Sequence, residues 1–163
     1  MVINERKTGF APVYAKDSKC LILGSFPSVK SRRVEFYYGN PQNRFWRTVC
    51  GYFEEEIPLT TEEKKEFLYR RKIALWDMAI SCEIEGSADS SLKNATLIDL
   101  DEVLKNAPIE KILLNGALAY RLFLQKYAHF TIPYVKMPST SPANPRFDPE
   151  IWRKELDDVF RIY

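Results

Sequence analysis

The feature of this chain that most constrains its fold is a set of four short, largely apolar runs. They end at a glycine, an acid, an amide or a proline-rich loop, and they span residues 20–23, 73–77, 109–115 and 134–137. Short runs without regular polar alternation are typical of parallel strands buried on both faces. Strands joined through helical segments pair in parallel by right-handed crossovers. The sequence therefore predicts the α/β fold class, as a three-layer α/β/α arrangement around a four-stranded parallel sheet.

Helix signals fill the segments between these runs. A capping box over residues 60–63 starts a polar helix that runs towards Arg71. Asp148, followed by Pro149, starts the C-terminal helix. Further helices are predicted over residues 43–53, over 97–104 from the spacing of Leu97, Leu100, Val103 and Leu104, and over 117–127, and a loop over 86–91. With 163 residues and no repeat or linker, the chain is expected to be one domain spanning residues 1–163.

Composition limits the possible functions without choosing one. The net charge of +2 is too small to indicate nucleic-acid binding by itself. The basic side chains are nevertheless clustered after the first apolar run, at Lys30, Arg32, Arg33, Arg44 and Arg47. Three scattered cysteines, one histidine and no CxxC pair argue against a disulfide framework or a zinc site, so no metal is expected. Because there is no signal-peptide core or membrane-length apolar run, we expect a cytoplasmic protein.

The unusual polar clusters of the sequence all follow the carboxyl ends of the apolar runs. The first run leads into a turn over residues 24–28, the second ends at Asp77 and the third ends at Asn115. The fourth leads into a loop over residues 138–145 that contains three prolines. Parallel strands bring these ends to one edge of the sheet, where α/β proteins bind ligands. We therefore expect one site built from segments that are far apart in the sequence.

The side chains of these clusters leave their roles open. The turn over residues 24–28 can present N–H groups to a phosphate or can be a tight strand exit, and it lacks the GxxxxGK[ST] pattern of a P-loop. Tyr37 and Tyr38 can stack on a nucleobase or pack in the core. Asn43 can cap a helix or orient a water molecule. Asp77 can accept from a base edge, cap a loop or act as a general base. The proline-rich loop suits phosphate contacts, groove insertion or a plain connection.

Five motifs together resemble the uracil-DNA glycosylase superfamily, and most closely its hypoxanthine-DNA glycosylase branch. In chain order they are LGSFPS (23–28), FYYGNPQNRFW (36–46), ALWDM (74–78) with the GSADSS loop (86–91), LLNGALAY (113–120) and MPSTSPANP (137–145). They cover most of the chain between residues 21 and 145, and the pairing of YYxxPQNRFW with PSTSPAN is specific. The resemblance implies a four-stranded parallel sheet flanked by helices, in agreement with the apolar runs.

The resemblance also implies a role for each motif. The first loop would lie beside a flipped deoxynucleotide, Tyr38 would stack on the extruded base, and the loop over residues 138–145 would grip the DNA backbone and help to wedge the duplex open. Asn43 would be the catalytic amide that positions the attacking water. The implied site residues are Asn43 for catalysis; Gly24, Ser25, Phe26, Pro27, Ser28, Tyr38, Asn40, Asp77 and Asn115 for substrate binding; and Pro138, Ser139, Thr140, Ser141, Asn144 and Arg44 for DNA binding.

Two departures from the family pattern favour hypoxanthine over uracil. Uracil-cleaving branches carry Asp or Asn two positions after the glycine, where this chain has Phe26, a side chain that can neither orient nor deprotonate water. The position before Pro-Ser, often His or Asn in those branches, is Met137 here. By the resemblance, the catalytic role passes to Asn43. The missing donor for a uracil anion favours a purine leaving group, without excluding weak uracil activity.

The resulting hypothesis is a monofunctional DNA glycosylase of base-excision repair. It would extrude a deaminated base, preferably hypoxanthine, and hydrolyse its N-glycosidic bond to leave an abasic site. The expected partner is DNA containing deaminated bases, bound by a monomer. Neither an iron–sulfur cluster nor another cofactor is expected. Two alternatives stay open: a mismatch-type uracil or thymine glycosylase, and a catalytically silent nucleic-acid-binding module of the same fold.

Overall fold

A computed structural model of the chain describes residues 6–84 and 92–161. In chain order the elements are β1 (Arg6–Thr8), β2 (Cys20–Gly24), α1 (Val29–Val34), α2 (Phe45–Tyr52), α3 (Thr61–Arg70), β3 (Ile73–Asp77), β4 (Ala79–Ile84), β5 (Leu92–Leu97), α4 (Asp101–Leu104), β6 (Lys111–Asn115), α5 (Ala117–Tyr127), β7 (Tyr134–Met137) and α6 (Pro149–Phe160).

The central sheet contains the four predicted strands in the order β3-β2-β6-β7, and every neighbouring pair is parallel. All residues of β2 and β3 are buried, as their uninterrupted apolar sequence requires. The register pairs Gly24 with Asp77 and Asn115 with Met137, so the four strands end together. The predicted α/β fold is confirmed, and so is the shared edge at which the polar clusters meet.

The hydrophobic core continues from the sheet into the flanking helices. Helix α3 packs against β3, α5 packs against β6 and β7, and α2 packs against α6. The largest fully buried side chains in this core include Phe45 on α2, Phe67 on α3, Phe123 on α5 and Trp152 on α6. Aromatic side chains therefore anchor each of these helices. Phe45 is the first residue of α2, so the core fixes the position at which that helix begins.

A second sheet was not predicted. Strands β1, β4 and β5 form an antiparallel sheet in the order β1-β4-β5. The prediction of a helix over residues 97–104 is wrong at its start, because Leu97 is the last residue of β5 and the helix is confined to α4. Pairing with β4 continues past the strand, since the Ile98 N–H donates to the Met78 carbonyl at 2.9 Å. The loop predicted over residues 86–91 lies outside the described residues.

Two helices also differ from the sequence prediction. The helix predicted over residues 43–53 begins at Phe45 and ends at Tyr52. Between the first turn and the tyrosines, the basic segment forms the short helix α1, capped by the Ser28 hydroxyl, which accepts from the Ser31 N–H. Helix α1 has no apolar stripe in its sequence, so periodicity gave no signal for it.

Candidate active site

A pocket of about 130 Å³ opens at the carboxyl edge of the parallel sheet. It is small beside the roughly 300–1,000 Å³ of pockets for drug-sized ligands, so it suits one flat ring system. Three structural parts surround it. The first wall comprises residues 24–43, the floor is formed by Asp77 and Asn115 at the ends of β3 and β6, and the second wall is the loop over residues 138–145. The lining residues are Gly24, Ser25, Phe26, Pro27, Ser28, Ser31, Tyr37, Tyr38, Asn40, Asn43, Asp77, Asn115, Ser139, Thr140, Ser141 and Pro142.

The floor depends on glycine at the end of β2. A Cβ atom at Gly24 would lie 2.4 Å from the Asp77 Oδ1 and 3.2 Å from the Tyr38 hydroxyl oxygen. Asp77 itself is only 5% exposed. Any larger side chain at position 24 would displace the carboxylate or the phenol, so glycine is required for the two polar groups to approach each other. This contact between strand end and first wall sets the depth of the pocket.

The two tyrosines have different environments. Tyr37 is buried, and its hydroxyl donates to the Ala11 carbonyl at 2.8 Å, so its ring belongs to the core. Tyr38 is half-buried and stacks one ring face on Phe45, with centroids 4.2 Å apart. Its hydroxyl oxygen is buried without a hydrogen-bond partner among the described residues. The phenolic group therefore reaches the floor with its donor available.

Burial strongly raises the pKa of the Tyr38 hydroxyl, and the nearby Asp77 carboxylate raises it further, against a lowering effect of the Asn115 amide. Tyr38 is consequently a neutral O–H donor near neutral pH. Its backbone has φ +53°, in the left-handed region that non-glycine residues seldom adopt. The following N–H, of Gly39, donates to the Ser31 hydroxyl at 2.9 Å and helps to hold this conformation.

Asn43 lies one residue before the N-cap position of α2, which is Arg44, but its side chain still satisfies the first N–H of the helix and lines the pocket. Its Oδ1 accepts from the Phe45 N–H at 2.9 Å, at the start of α2. That backbone donor determines which end of the amide is the oxygen, so the Nδ2 end is the one left over. No described residue hydrogen-bonds to Nδ2, and Asn43 lines the pocket. The two roles considered for Asn43 are therefore compatible, because the oxygen caps the helix while the amide protons face the cavity.

Asn115 holds the second wall against the sheet. Its Nδ2 donates to the Thr140 hydroxyl and its Oδ1 accepts from the Thr140 N–H, both at 3.0 Å. Arg44 holds the same loop from the other side. Its backbone N–H donates to the Thr140 carbonyl, and its guanidinium donates to the Ser141 and Asn144 carbonyls. These two residues fix the loop before any ligand enters.

The structure brings together all the residues predicted for catalysis and substrate binding, and three of those predicted for DNA binding, namely Ser139, Thr140 and Ser141. Pro138, Asn144 and Arg44 do not line the pocket. Instead, the Pro138 carbonyl accepts from the Trp152 indole, and the Asn144 amide donates to the Ser139 carbonyl. The roles assigned to all these residues stay predictions.

The two positions that depart from the family pattern lie in apolar surroundings. Phe26 is 4% exposed and packs with Ala79 and Cys82, although one side of it lines the pocket. Met137 is buried in the main core and does not line the pocket. Neither position therefore presents a polar group to a ligand.

Three lining residues were not among the implied site residues: Ser31, Tyr37, which was considered with Tyr38 for stacking, and Pro142, which belongs to the predicted loop. Ser31 follows Ser28 at a spacing of three, which places both hydroxyls on one side of a helical turn. The Ser28 hydroxyl donates to the Ser31 hydroxyl at 3.1 Å, as that spacing allows. The sequence therefore contains a signal that places Ser31 beside Ser28, but this signal can be read only if residues 29–34 are recognised as a helix.

Within residues 6–84 and 92–161, no three His, Cys, Asp or Glu side chains are grouped as metal ligands. Cys20 and Cys50 are buried, and burial raises the pKa of the Cys20 thiol to about 12 and that of Cys50 to about 11. In the same part of the chain, none of the helices has the length and hydrophobicity needed to span a bilayer.

Residues 11–158 match the family model of the uracil DNA glycosylase superfamily. A hypoxanthine DNA glycosylase of Methanosarcina acetivorans is 35% identical over 159 residues, which cover 95% of this chain and 98% of the relative. A hypoxanthine DNA glycosylase of Methanosarcina barkeri is 34% identical over 113 residues, or 68% of this chain and 72% of the relative.

One solved structure is similar over almost the whole length. It is a solution NMR structure of a candidate uracil DNA glycosylase from Methanosarcina acetivorans, with a TM-score of 0.81 and 33% sequence identity. The similarity covers 96% of this chain and 98% of that one. Sequence and fold comparisons therefore point to the same family.

Proposed function

Because the chain belongs to the uracil DNA glycosylase superfamily, it is a DNA glycosylase, and we propose that its substrate is hypoxanthine in preference to uracil. The observation that carries this proposal is the pocket floor, where the Asp77 carboxylate and the Tyr38 hydroxyl both lie next to the position that a Cβ atom on Gly24 would occupy. The names of the two Methanosarcina relatives support the same substrate. The enzyme would act as a monomer on DNA that contains deaminated bases.

The floor provides one acceptor and one donor, which match the edge of hypoxanthine. This base presents an N1–H donor next to its O6 acceptor. The Asp77 carboxylate would accept from N1–H, while the neutral Tyr38 hydroxyl would donate to O6. Adenine reverses the pattern, with an amino donor at N6 and a lone pair at N1, so it would face the carboxylate with a lone pair. Undamaged adenine is thereby rejected by repulsion as well as by lost hydrogen bonds.

Guanine shares the N1–H and O6 groups, so the floor alone does not reject it. Guanine opposite cytosine is fully paired and costly to extrude, whereas hypoxanthine opposite thymine is mispaired and costs less. The extra 2-amino group of guanine also needs space in a small pocket. Uracil presents a similar donor and acceptor on a smaller ring, which is consistent with weak uracil activity.

The proposed reaction is a hydrolysis through an oxocarbenium-like state. The C1′–N9 bond breaks, its electron pair leaves with the base, and a water oxygen forms the new bond to C1′. Asn43 would hold that water through its amide while its oxygen stays on the Phe45 N–H, so the water is positioned by a group that the start of α2 keeps in place. The water's proton passes to the departing base or to solvent. The fixed dipoles of the pocket and the DNA phosphates stabilise the positive sugar.

A panel of duplex oligonucleotides tests the proposal. Each duplex carries one hypoxanthine, uracil, xanthine or undamaged guanine, and alkali cleaves the strand wherever an abasic site has formed. We expect the fastest cleavage at hypoxanthine and an intact strand before alkali treatment. Fastest cleavage at uracil would favour the mismatch-type alternative. Without an abasic product from any base, the silent binding module would be the better description.

A further inference from the structure

A second concavity lies beside the pocket, between α2 and the start of α6. Its volume is about 440 Å³, and its lining residues are Arg44, Arg47, Thr48, Gly51, Tyr52, Phe147, Pro149 and Arg153. We call it the α2–α6 groove. It shares no lining residue with the pocket, yet Asn43 lines the pocket and the next residue, Arg44, lines the groove. The groove therefore begins where the first wall ends.

The lining of the groove is positively charged. It contains three arginines and no acid. Arg47 is exposed and forms no ion pair with any described residue. Arg153 is 64% exposed, and its partner Glu150, at 3.5 Å, is also exposed, so the pair contributes little and is easily exchanged for a ligand.

Arg44 supports the groove without being available to a ligand. Its guanidinium donates to two carbonyls of the second wall and lies 4.5 Å from the centroid of the Phe147 ring. Its charge still contributes to the field of the groove. The free donors therefore come from Arg47 on α2 and Arg153 on α6.

The positive stretch has a limited length. Beyond Tyr52 the surface continues into a concavity that contains three acids, Glu54, Glu150 and Asp157, beside Arg153 and Lys154. The Tyr52 hydroxyl donates to Asp157 at 2.9 Å, which closes that end of the groove. Helix α2 has eight residues and is therefore about 12 Å long. This length corresponds to about three or four base steps of 3.4 Å along one DNA strand.

We propose that the α2–α6 groove binds the phosphate backbone of DNA beside the extruded nucleotide, with Arg47 and Arg153 each contacting one phosphate. A planar guanidinium pairs with phosphate oxygens through two parallel hydrogen bonds, and such contacts fix the register of a protein on DNA. The proposal rests on the proposed function only in that the ligand is DNA. The groove would place the lesion over the pocket, while the pocket performs recognition and chemistry.

The salt dependence of binding to undamaged duplex DNA tests the proposal. Each phosphate contact contributes a slope of about −0.9 to the plot of log K against log salt, so R47A/R153A should reduce the slope by about 1.8. Equivalently, the affinity ratio of wild type to variant should be roughly 12-fold larger at 50 mM than at 200 mM salt. A matched control, K105A/R121A, removes two exposed charges elsewhere and should keep the wild-type slope. R47K/R153K retains both charges and should also keep most of it.

Gly51 allows a test that adds a charge instead of removing one. A Cβ at Gly51 would meet no atom within 4 Å, so side chains can be introduced there without a clash. We expect G51K to bind undamaged duplex more tightly than G51Q, and G51E more weakly, with the differences shrinking as salt rises. Equal affinities for the three variants, or an unchanged slope for R47A/R153A, would overturn the proposal.

These results are independent of excision. The groove variants should reach the wild-type excision rate when the enzyme is saturating. If wild type excises hypoxanthine but the slope does not change, the groove proposal fails alone. If wild type excises no base and the slope still falls, the groove proposal stands and the proposed function fails. An acidic protein partner would give charge-sensitive binding to that protein and no change in the DNA slope, and would therefore also overturn the groove proposal.

Discussion

The two walls of the pocket use their polar groups in opposite ways. The second wall is held by hydrogen bonds within the protein: the floor residue Asn115 pairs with Thr140 through both ends of its amide, and Arg44 binds two loop carbonyls. In the first wall, the Tyr38 hydroxyl is buried without a hydrogen-bond partner among the described residues, and the Asn43 Nδ2 faces the cavity unoccupied by them. The second wall is therefore held in place in the absence of DNA, whereas the first wall keeps donors that no described residue uses.

The two walls therefore have different functions: the second wall determines the shape of the pocket, and the first wall supplies the groups that act on the ligand. A buried donor without a partner costs roughly 1–3 kcal/mol, and such a cost is recovered when a ligand supplies the acceptor. The first wall and floor are therefore organised for a base and a water molecule. The second wall is organised for rigidity, which lowers the entropy lost when DNA is bound. Substitutions in the two walls should consequently have different kinetic effects.

The largest effect is expected for Asn43→Ala. Loss of the water-positioning amide should lower the excision rate by about 10²–10⁴-fold. Loss of the helix cap should also lower the free energy of unfolding by about 1 kcal/mol. Asn40→Ala is the matched control, because Asn40 also lines the pocket and its Oδ1 accepts only a local bond from the Gln42 N–H at 3.0 Å. Full activity of Asn43→Ala in a single-turnover assay would refute the assignment.

A smaller effect is expected for Asp77→Asn, which preserves the shape of the side chain. A hydrogen bond from N1–H to a charged acceptor exceeds one to a neutral acceptor by about 1–1.5 kcal/mol, so hypoxanthine excision should fall about tenfold. Discrimination against adenine should fall as well, because the neutral amide can turn its donor towards N1. The measurement is the ratio of excision rates for hypoxanthine and adenine. A wild-type ratio in a folded variant would contradict the role given to the floor.

Next in size is Asn115→Ala, which removes the floor residue that holds the second wall. Removing both hydrogen bonds to Thr140 frees the loop, so the loop must be ordered again whenever DNA binds. We expect DNA affinity to fall about fivefold, which corresponds to about 1 kcal/mol. The dissociation constant for undamaged duplex reports this effect. A dissociation constant of Asn115→Ala equal to that of wild type would show that preorganisation of the loop is unimportant for DNA binding.

The smallest effect concerns stability alone. The pKa of Tyr38 is raised in the folded protein, so above about pH 10 the phenol ionises in the unfolded chain and not in the folded one. Stability should then fall as the pH rises, by about 1.4 kcal/mol per pH unit for this group. Tyr38→Phe should reduce that slope, and because it removes a buried hydroxyl without a partner it should not lower stability below pH 9. Denaturant titrations from pH 8 to 11 measure it, and equal slopes would contradict the buried position of the hydroxyl.

The parallel sheet and its polar edge could be predicted because β2, β3 and β6 are continuous apolar runs with a polar residue or glycine at their ends. The antiparallel sheet could not, since its pairing is irregular: the register between β4 and β5 shifts on both sides of Ser81, which disrupts simple alternation. Leu97 shared a helical spacing with the residues of α4, but pairing with β4 determined its conformation. Tertiary contacts outweighed local periodicity there.

The content of the site was more predictable than its roles. Asp77 and Asn115 could be placed at one edge because each ends a strand, whereas Tyr38 and Asn43 were assigned to the site by the family resemblance. The use of Arg44 could not be anticipated, because a guanidinium in a basic segment gives no sequence signal for bonds to carbonyls of a loop about 100 residues later. The left-handed backbone at Tyr38, which directs its hydroxyl to the floor, is likewise a result of packing.

The most direct test of the division between the walls is a single-turnover excision series for Asn43→Ala and Asn115→Ala over a range of enzyme concentrations. The account predicts that Asn43→Ala lowers the plateau rate at saturating enzyme about 100-fold or more with little change in the half-saturating concentration. It predicts that Asn115→Ala raises the half-saturating concentration and reaches nearly the wild-type plateau. A plateau for Asn115→Ala as low as that for Asn43→Ala would contradict the separation of shape from chemistry.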